Sequence, residues 1–516
     1  MSKLRIYDGV VSRRTPTTEP TAPLSLGPAA TALESLSQVE RRTTKTSSMT
    51  WKDHLVMLLH IGAEIEHSLM VQYLYAAYSL GGDQVQKDRR DIVRGWQNHI
   101  IAVAKEEMGH LLTVQNVLTL IGAPINLNRV DLPWDVPFYP FPFRLERLTL
   151  DSVACYVYAE MPTVAELDAA IARGDLAPDL LERYVQFRDA DRAEIEMRIK
   201  GRTRDDNPHR VGDLYSELIE LVRDERNIPD SVFQERTFPL QASFDDWGRG
   251  YRPDPQLVNA DGSLAEPNRP AGTAEPANVL IERVATRTQV VAALEALSAQ
   301  GEAPVMTTSG KGELSHFDRF LEIYQEYAEL GEKGWSPSRP VATDPSTFDR
   351  PTGHGGYISE LDSRDWAELF NLRYRMLLKY LAHTFRLARS QHDNTPNLRS
   401  MVMHRVFGEM YNLKSIAGIL VRLPQRLGDD GGPDSPRAGP PFEMPYVMQL
   451  PDTEHDAWAL HRDLLVSAQR LCKRLLDGTN TAGQDYLRAL FDIDADAHTW
   501  TESILAGLGA TEGSLS

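Results

Sequence analysis

A glutamate stands in the middle of an apolar helical stripe, and this placement constrains the fold more than any other feature of the chain. Between residues 51 and 80, Leu55, Leu58, Leu59, Gly62, Leu69, Tyr73 and Ala77 recur at helical spacing. Glu66 falls among them, whereas Glu64 and His67 are rotated away; Gly81-Gly82 stops the helix. A carboxylate on a core face is costly unless it is paired, protonated or bound to a cation. The conflict recurs over 88–121, where Glu107 and His110 share a face with Val103, Ala104, Leu111, Val114, Leu118 and Ile121. It recurs again over 149–161, where Glu160 ends the nearly uncharged run Val153-Ala154-Cys155-Tyr156-Val157-Tyr158-Ala159 before Pro162. Helices that repeatedly turn ionisable groups inward need a compensating charge inside the bundle.

Two Glu-x-x-His motifs suggest what that charge is. Glu107-Met108-Gly109-His110 lies within its helix, and Glu313-Leu314-Ser315-His316 is expected to open another, running from about 313 to 330. Residues three apart on a helix project from nearly one side, so each motif offers a carboxylate and an imidazole together. Two such motifs, completed by one glutamate from each of two further helices, form the ligand set of dimetal carboxylate bundles. The expected set is Glu66, Glu107, His110, Glu160, Glu313 and His316, with Glu217, Glu225 and Glu302 as rivals for the place of Glu160. Imidazole nitrogen favours first-row transition metals, so two such ions are expected, iron first, although manganese accepts the same ligands. Glu106 is expected to face solvent or to stand behind the ligands. Tyr73, Tyr156 and Tyr324 share faces with the ligands and are expected chiefly to pack. His383, His392 and His404 have no partner at ligand spacing, and the chain carries no phosphate loop, dinucleotide fingerprint or nucleophile elbow.

At 516 residues the chain exceeds what one hydrophobic core usually serves. The expected organisation is all-α: an irregular arm over 1–48, a four-helix bundle over 49–335, a linker over 336–360, and a second helical domain over 361–516. Within the bundle, a Pro/aromatic crossover runs from Pro133 to Pro142, and 163–300 reads as a helical insertion with a Pro/Gly/Asp-rich stretch at 245–277. A crossover of that length is a trait of ferritin-like bundles. The net charge of −18 argues against nucleic acid or an anionic membrane as partner. No apolar run approaches the roughly 18 residues of a membrane span, and no signal peptide is read at Met1. Cys155 and Cys472 make no disulfide framework. A cytoplasmic protein is expected, with a small-molecule substrate and O₂ or peroxide as partners; a homo-oligomer is compatible with all of this.

Several blocks also resemble a known family, the ferritin-like domain of the iminophenyl-pyruvate dimer synthases of violacein and indolocarbazole pathways. The specific blocks are Ile65-Glu66-His67 through Tyr78-Ser79, and Ala104-Lys105-Glu106-Glu107-Met108-Gly109-His110-Leu111 with Asn116 and Ile121-Gly122-Ala123-Pro124. Further matches are Ala159-Glu160-Met161-Pro162, Val211-Gly212-Asp213-Leu214-Tyr215, Gln300-Gly301-Glu302, Ser315-His316-Phe317 with Arg319-Phe320, Leu420 to Pro424, and Ala438 to Glu443. The resemblance implies a metal-dependent oxidase or oxygenase acting on a small, aromatic amino-acid-derived substrate in specialised metabolism. The chain departs from the pattern in being shorter, in Asp213 where glutamate is expected, and in Ala303 where glycine is expected. The alternatives are ferroxidase or manganese-catalase-like metal handling, and a metal-free helical interaction protein.

Overall fold

The computed structural model describes residues 48–513 apart from 137, 175, 204–209, 234–238, 244–278, 303–313, 332, 350–354, 388–397, 430–431, 433–434 and 479–482. The expected arm over 1–48, except its last residue, and the stretch 245–277 therefore lie outside the described residues. Those described form helices and isolated bridges, with no strand among them. The all-α class is borne out.

The first long helix, α1 (Trp51–Ser79), begins where Thr50 and Asp53 form a reciprocal capping box. A short connection returns the chain into α2 (Arg90–Leu120), which packs along α1. The Pro/aromatic crossover follows. It is ordered by a Trp134–Phe143 bridge and by Tyr139, which stacks on Phe143 and accepts a hydrogen bond from Gln72. Then come α3 (Leu150–Glu160), α4 (Val164–Arg173), α5 (Pro178–Gln186), α6 (Arg192–Ile199), α7 (Val211–Arg223), α8 (Arg287–Glu302) and α9 (His316–Leu330). Helix α9 packs against α3 and touches α2, so α1, α2, α3 and α9 make the four-helix core. The insertion is not peripheral: α7 pairs with α8 and lies on α1.

Two local expectations are corrected by caps. Helix α9 begins at His316, not at Glu313, because Ser315 is its N-cap and forms a capping box with Asp318. The second Glu-x-x-His motif therefore straddles a helix start, and Glu313 itself lies outside the described residues. Helix α4 was not expected after Pro162; it forms because Thr163 and Glu166 cap each other.

The remaining helices are α10 (Leu361–Thr384), α11 (Leu398–Leu420), α12 (Glu454–Asp477) and α13 (Gln484–Gly513). The segment expected as a linker is packed on both sides. Arg339 N donates to Ser79 O, Asp344 N to Leu145 O, and Ala342 N to Arg437 O. The apolar core runs without a break from α1 into α10 and α11. Helix α1 is consequently buried nearly all round. His67, turned away from the bundle interior, meets Tyr374 of α10 at 2.5 Å, and Glu64 accepts from Asn126. Within α10–α13, buried Arg373 pairs with Glu409 and Asp494. His383 gains partners from far along the chain, His461 at 3.0 Å and Glu454 at 2.9 Å. No helix among the described residues is long and apolar enough to cross a membrane.

Candidate metal centre

Four helices turn ionisable side chains into one buried spot. Glu66 from α1, Glu107 and His110 from α2, Glu160 from the end of α3 and His316 from the start of α9 are each at most 3% exposed. Glu107 is the hub. Its Oε2 lies 3.0 Å from His110 Nδ1 and its Oε1 lies 3.2 Å from His316 Nδ1. Glu66 Oε2 flanks His110 Nδ1 at 3.5 Å, and Glu160 Oε2 flanks His316 Nδ1 at 3.9 Å. The two imidazole rings stack with centroids 5.5 Å apart. Glu107, His110 and His316 each offer one ligand atom within 4.8 Å of the others, close enough to hold a metal ion together.

Each flanking carboxylate is held by a tyrosine. Tyr215 of α7 donates to Glu66 Oε1, and Tyr73 of α1 donates to Glu160 Oε1 at 2.5 Å. The opposite oxygens are thus left facing the imidazoles. Tyr73 is more than packing, therefore. Tyr156 lies edge-on to it, and Tyr324 faces away from the centre toward Glu194. Behind the ligands, His110 Nε2–H donates to Gln300 Oε1 at 2.9 Å. Glu106, far from facing solvent, is fully buried, 3.2 Å from His316 Nε2 and gripped by Arg319. Of the rivals, Glu217 sits beside His54 and Glu225 is exposed. The side chain of Glu302 lies outside the described residues.

The electrostatics explain why a cation suits this place. Burial, and then the charge of Glu107, pushes Glu66 up to about 7; the same two causes raise Glu160 to about 7. Burial would raise Glu107 too, but His316 and His110 outweigh it and hold Glu107 below the usual carboxylate range. Burial disfavours charge on both imidazoles, yet the facing glutamates raise His110 well above its usual value and His316 to about 10. Without a metal, protons are the positive charge available to these groups. Glu66 Oε2 and Glu107 Oε1 lie at ion-pair distance from ring nitrogens but receive no well-aligned hydrogen bond. Carboxylate oxygens and imidazole nitrogens converging with lone pairs to spare fit a transition-metal ion.

Close packing maintains the geometry. Gly109, between the hub and its histidine, leaves no room for a side chain: an added Cβ would lie 2.6 Å from Leu280 O and 2.8 Å from Val279 Cγ1. Beside the ligands, Leu69, Val211, Gly212, Leu297, Ser298 and Gly301 bound a cavity of about 20 Å³.

A family model described as Ferritin-like matches residues 59–325, the span that contains every residue of the cluster described above. The chain belongs to the ferritin-like family. This ferritin-like protein is also similar to the dichlorochromopyrrolate synthase of Lentzea aerocolonigenes, 25% identical over 475 residues. That alignment covers 84% of this chain and 40% of the synthase, so the chain spans well under half of its relative's length. No solved structure matches it. The ferritin-like domain read from the motif blocks is thereby shown.

The structure brings five of the six expected residues together; of the groups behind them, the sequence singles out Glu106 and Tyr73 but not Tyr215, Gln300 and Arg319. Tyr215 and Gln300 lie in the insertion; helical spacing places them beside Val211 and Leu218 and beside Leu297, but it does not tell which residues of another helix they meet. The signal for them was their place in short blocks resembling the family. Arg319, three residues after His316, lay in another such block.

Proposed function

We propose that the protein holds two iron ions on Glu66, Glu107, His110, Glu160, Glu313 and His316. In this reading it uses O₂ or peroxide to oxidise a small, aromatic amino-acid-derived substrate in specialised metabolism. One observation carries the proposal: the two oxygens of Glu107 face imidazoles from two different helices, the arrangement of a carboxylate shared between neighbouring cations. The relative's name, a synthase of dichlorochromopyrrolate, supports an enzyme of specialised metabolism.

The chain's own groups have definite roles in this reading. Gln300 Oε1 accepts a hydrogen bond from His110 Nε2–H and so leaves the Nδ1 lone pair facing inward. Tyr215 and Tyr73 fix one oxygen each of Glu66 and Glu160 and leave the other to coordinate. Leu69, Val211 and Leu297 give the cavity apolar walls. When bound, the metal pair supplies electrons to the oxidant and Lewis acidity to its oxygen atoms.

The cavity favours a second reading. About 20 Å³ admits a molecule the size of water or little more and no aromatic ring, which suits ferroxidase or peroxide-disproportionating chemistry. Metal analysis of the purified protein, then O₂ uptake after anaerobic ferrous reconstitution, tests both. Two irons per chain and oxidant consumption coupled to an aromatic amine or keto acid support the first reading. Peroxide turnover with no organic reactant supports the second, and a chain that takes up no transition metal excludes both.

A further inference from the structure

A second cavity, of about 370 Å³, opens where the start of the crossover, the 336–360 segment and the loop after α11 meet. It shares no lining residue with the cavity of about 20 Å³ at the cluster. Its floor is unusual. Among the described residues, Asp344 (φ 47°) and Phe442 (φ 49°) are the non-glycines held in left-handed backbone. Asp344 lines the cavity, and Phe442 sits between the lining residues Pro441 and Glu443. Such backbone persists only where the surroundings over-determine it, and it collects where ligands are held. Here Leu145 N donates to Asp344 Oδ1 at 2.8 Å and Arg144 to Oδ2 at 3.1 Å. Gly356 packs so closely on Asp344 O that no side chain would fit, and Arg129 donates to Phe442 O. Ser346, Thr347 and Asn371 all donate to the carboxylate of Glu443. A cavity fixed in this way needs little reordering to receive a ligand.

The lining indicates the ligand's chemistry. Pro133, Pro345 and Pro441 offer flat apolar surface, and Phe348, 55% exposed, adds an aromatic ring. The charges are unequal: among the described lining residues, Asp131, Asp344, Asp349 and Glu443 face a single cation, Arg426. A cleft with such a balance repels anions and draws in cations. An inorganic cation would need several carboxylate oxygens to close around it. The buried acids, Asp344 and Glu443, are instead committed to protein donors in the walls, whereas Asp349 is exposed at the rim. Flat apolar surface beside an acidic rim suits an organic ammonium ion with a ring, and the volume admits one.

We propose that this cavity binds a small aromatic amine. The ring lies against the prolines and Phe348, and the ammonium group points toward Asp349 and Asp131. The site is separate from the cluster and does not depend on the metal reading.

Isothermal titration calorimetry of the full-length protein with phenethylamine tests it. Saturable one-to-one binding is expected. Phenylacetate, with the same ring and the opposite charge, should bind at least about tenfold more weakly. Ethylamine, which lacks the ring, should also bind more weakly. Phe348→Ala and Asp349→Asn alter exposed side chains, so both variants should fold, as circular dichroism would record. Each should weaken phenethylamine binding about 2- to 5-fold. Asp349→Lys should weaken it further and narrow the gap to phenylacetate. The affinity should be the same before and after chelator treatment. Absence of saturable binding, equal binding of phenethylamine and phenylacetate, displacement by calcium, or indifference to all three variants would overturn the proposal. So would an affinity that vanishes with the metal, which would place the amine at the cluster. None of these outcomes removes the two-metal reading, which rests on metal content.

Discussion

Replacing Glu66 with glutamine is expected to stabilise the metal-free protein above neutral pH, although it removes a metal ligand. Burial, with the charge of Glu107 second, raises this carboxyl from 4.5 to about 7 in the folded chain. The folded state therefore binds the proton more tightly than the unfolded one. That advantage is fully present below 4.5 and is lost as pH rises through 7. At about 1.4 kcal/mol per pH unit between the two values, a folded chain at pH 8 bears a penalty on the order of 3 kcal/mol for ionising Glu66; at pH 5 less than about 1 kcal/mol has developed. Glutamine carries no charge and still offers Tyr215 an acceptor oxygen. Urea unfolding of chelator-treated wild type and Glu66→Gln at the two pH values is the assay. The variant should gain on the order of 3 kcal/mol relative to wild type at pH 8 and little at pH 5. With metal present the order should reverse, since a bound cation stabilises only the protein that can hold it. A difference between the two proteins that is the same at both pH values would refute the reasoning.

Three other changes probe the frame. Gly109→Ala forces a methyl group against Leu280 O and Val279; a loss of about 1–3 kcal/mol by thermal unfolding is expected, with reduced metal content because Glu107 and His110 flank the site. Arg373→Met strands Glu409 and Asp494 in the interior, and urea unfolding should show a cost of about 3–5 kcal/mol. Ser315→Ala removes the N-cap of α9, costing about 1 kcal/mol and weakening metal uptake by freeing the turn that carries His316.

The inward-facing acids were legible because a charge among leucines is conspicuous. Glu66, Glu107 and Glu160 each interrupt an apolar face, and nothing in helical periodicity accounts for them without a partner. The surroundings of α1 were not legible, since a periodic stripe predicts one buried face and leaves the rest to water. Here α10 and the crossover cover the other side, so Glu64 and His67 are buried as deeply as Glu66. The sequence leaves Glu106 open between solvent and a place behind the ligands for the same reason: its burial depends on Arg319, more than two hundred residues away, and the structure puts it behind His316. The start of α9 was written in Ser315-His316-Phe317-Asp318, a capping box that the neighbouring Glu-x-x-His spacing obscured. His383 and His461 illustrate the opposite limit, because a pair formed across 78 residues leaves no local spacing to read.

The contact between His67 and Tyr374 gives α1 two allegiances. One residue earlier in the chain, Glu66 serves the centre; one turn of the same backbone fastens α10 to its back. Dissecting the protein at the 336–360 belt would not yield two independent pieces. It would strip a wall from the rod that carries a ligand, baring His67 and its apolar neighbours to water. A fragment ending at residue 335 should accordingly be recovered aggregated or only when supplied with 361–516 in trans, and co-expression of the two fragments is the direct way to see it.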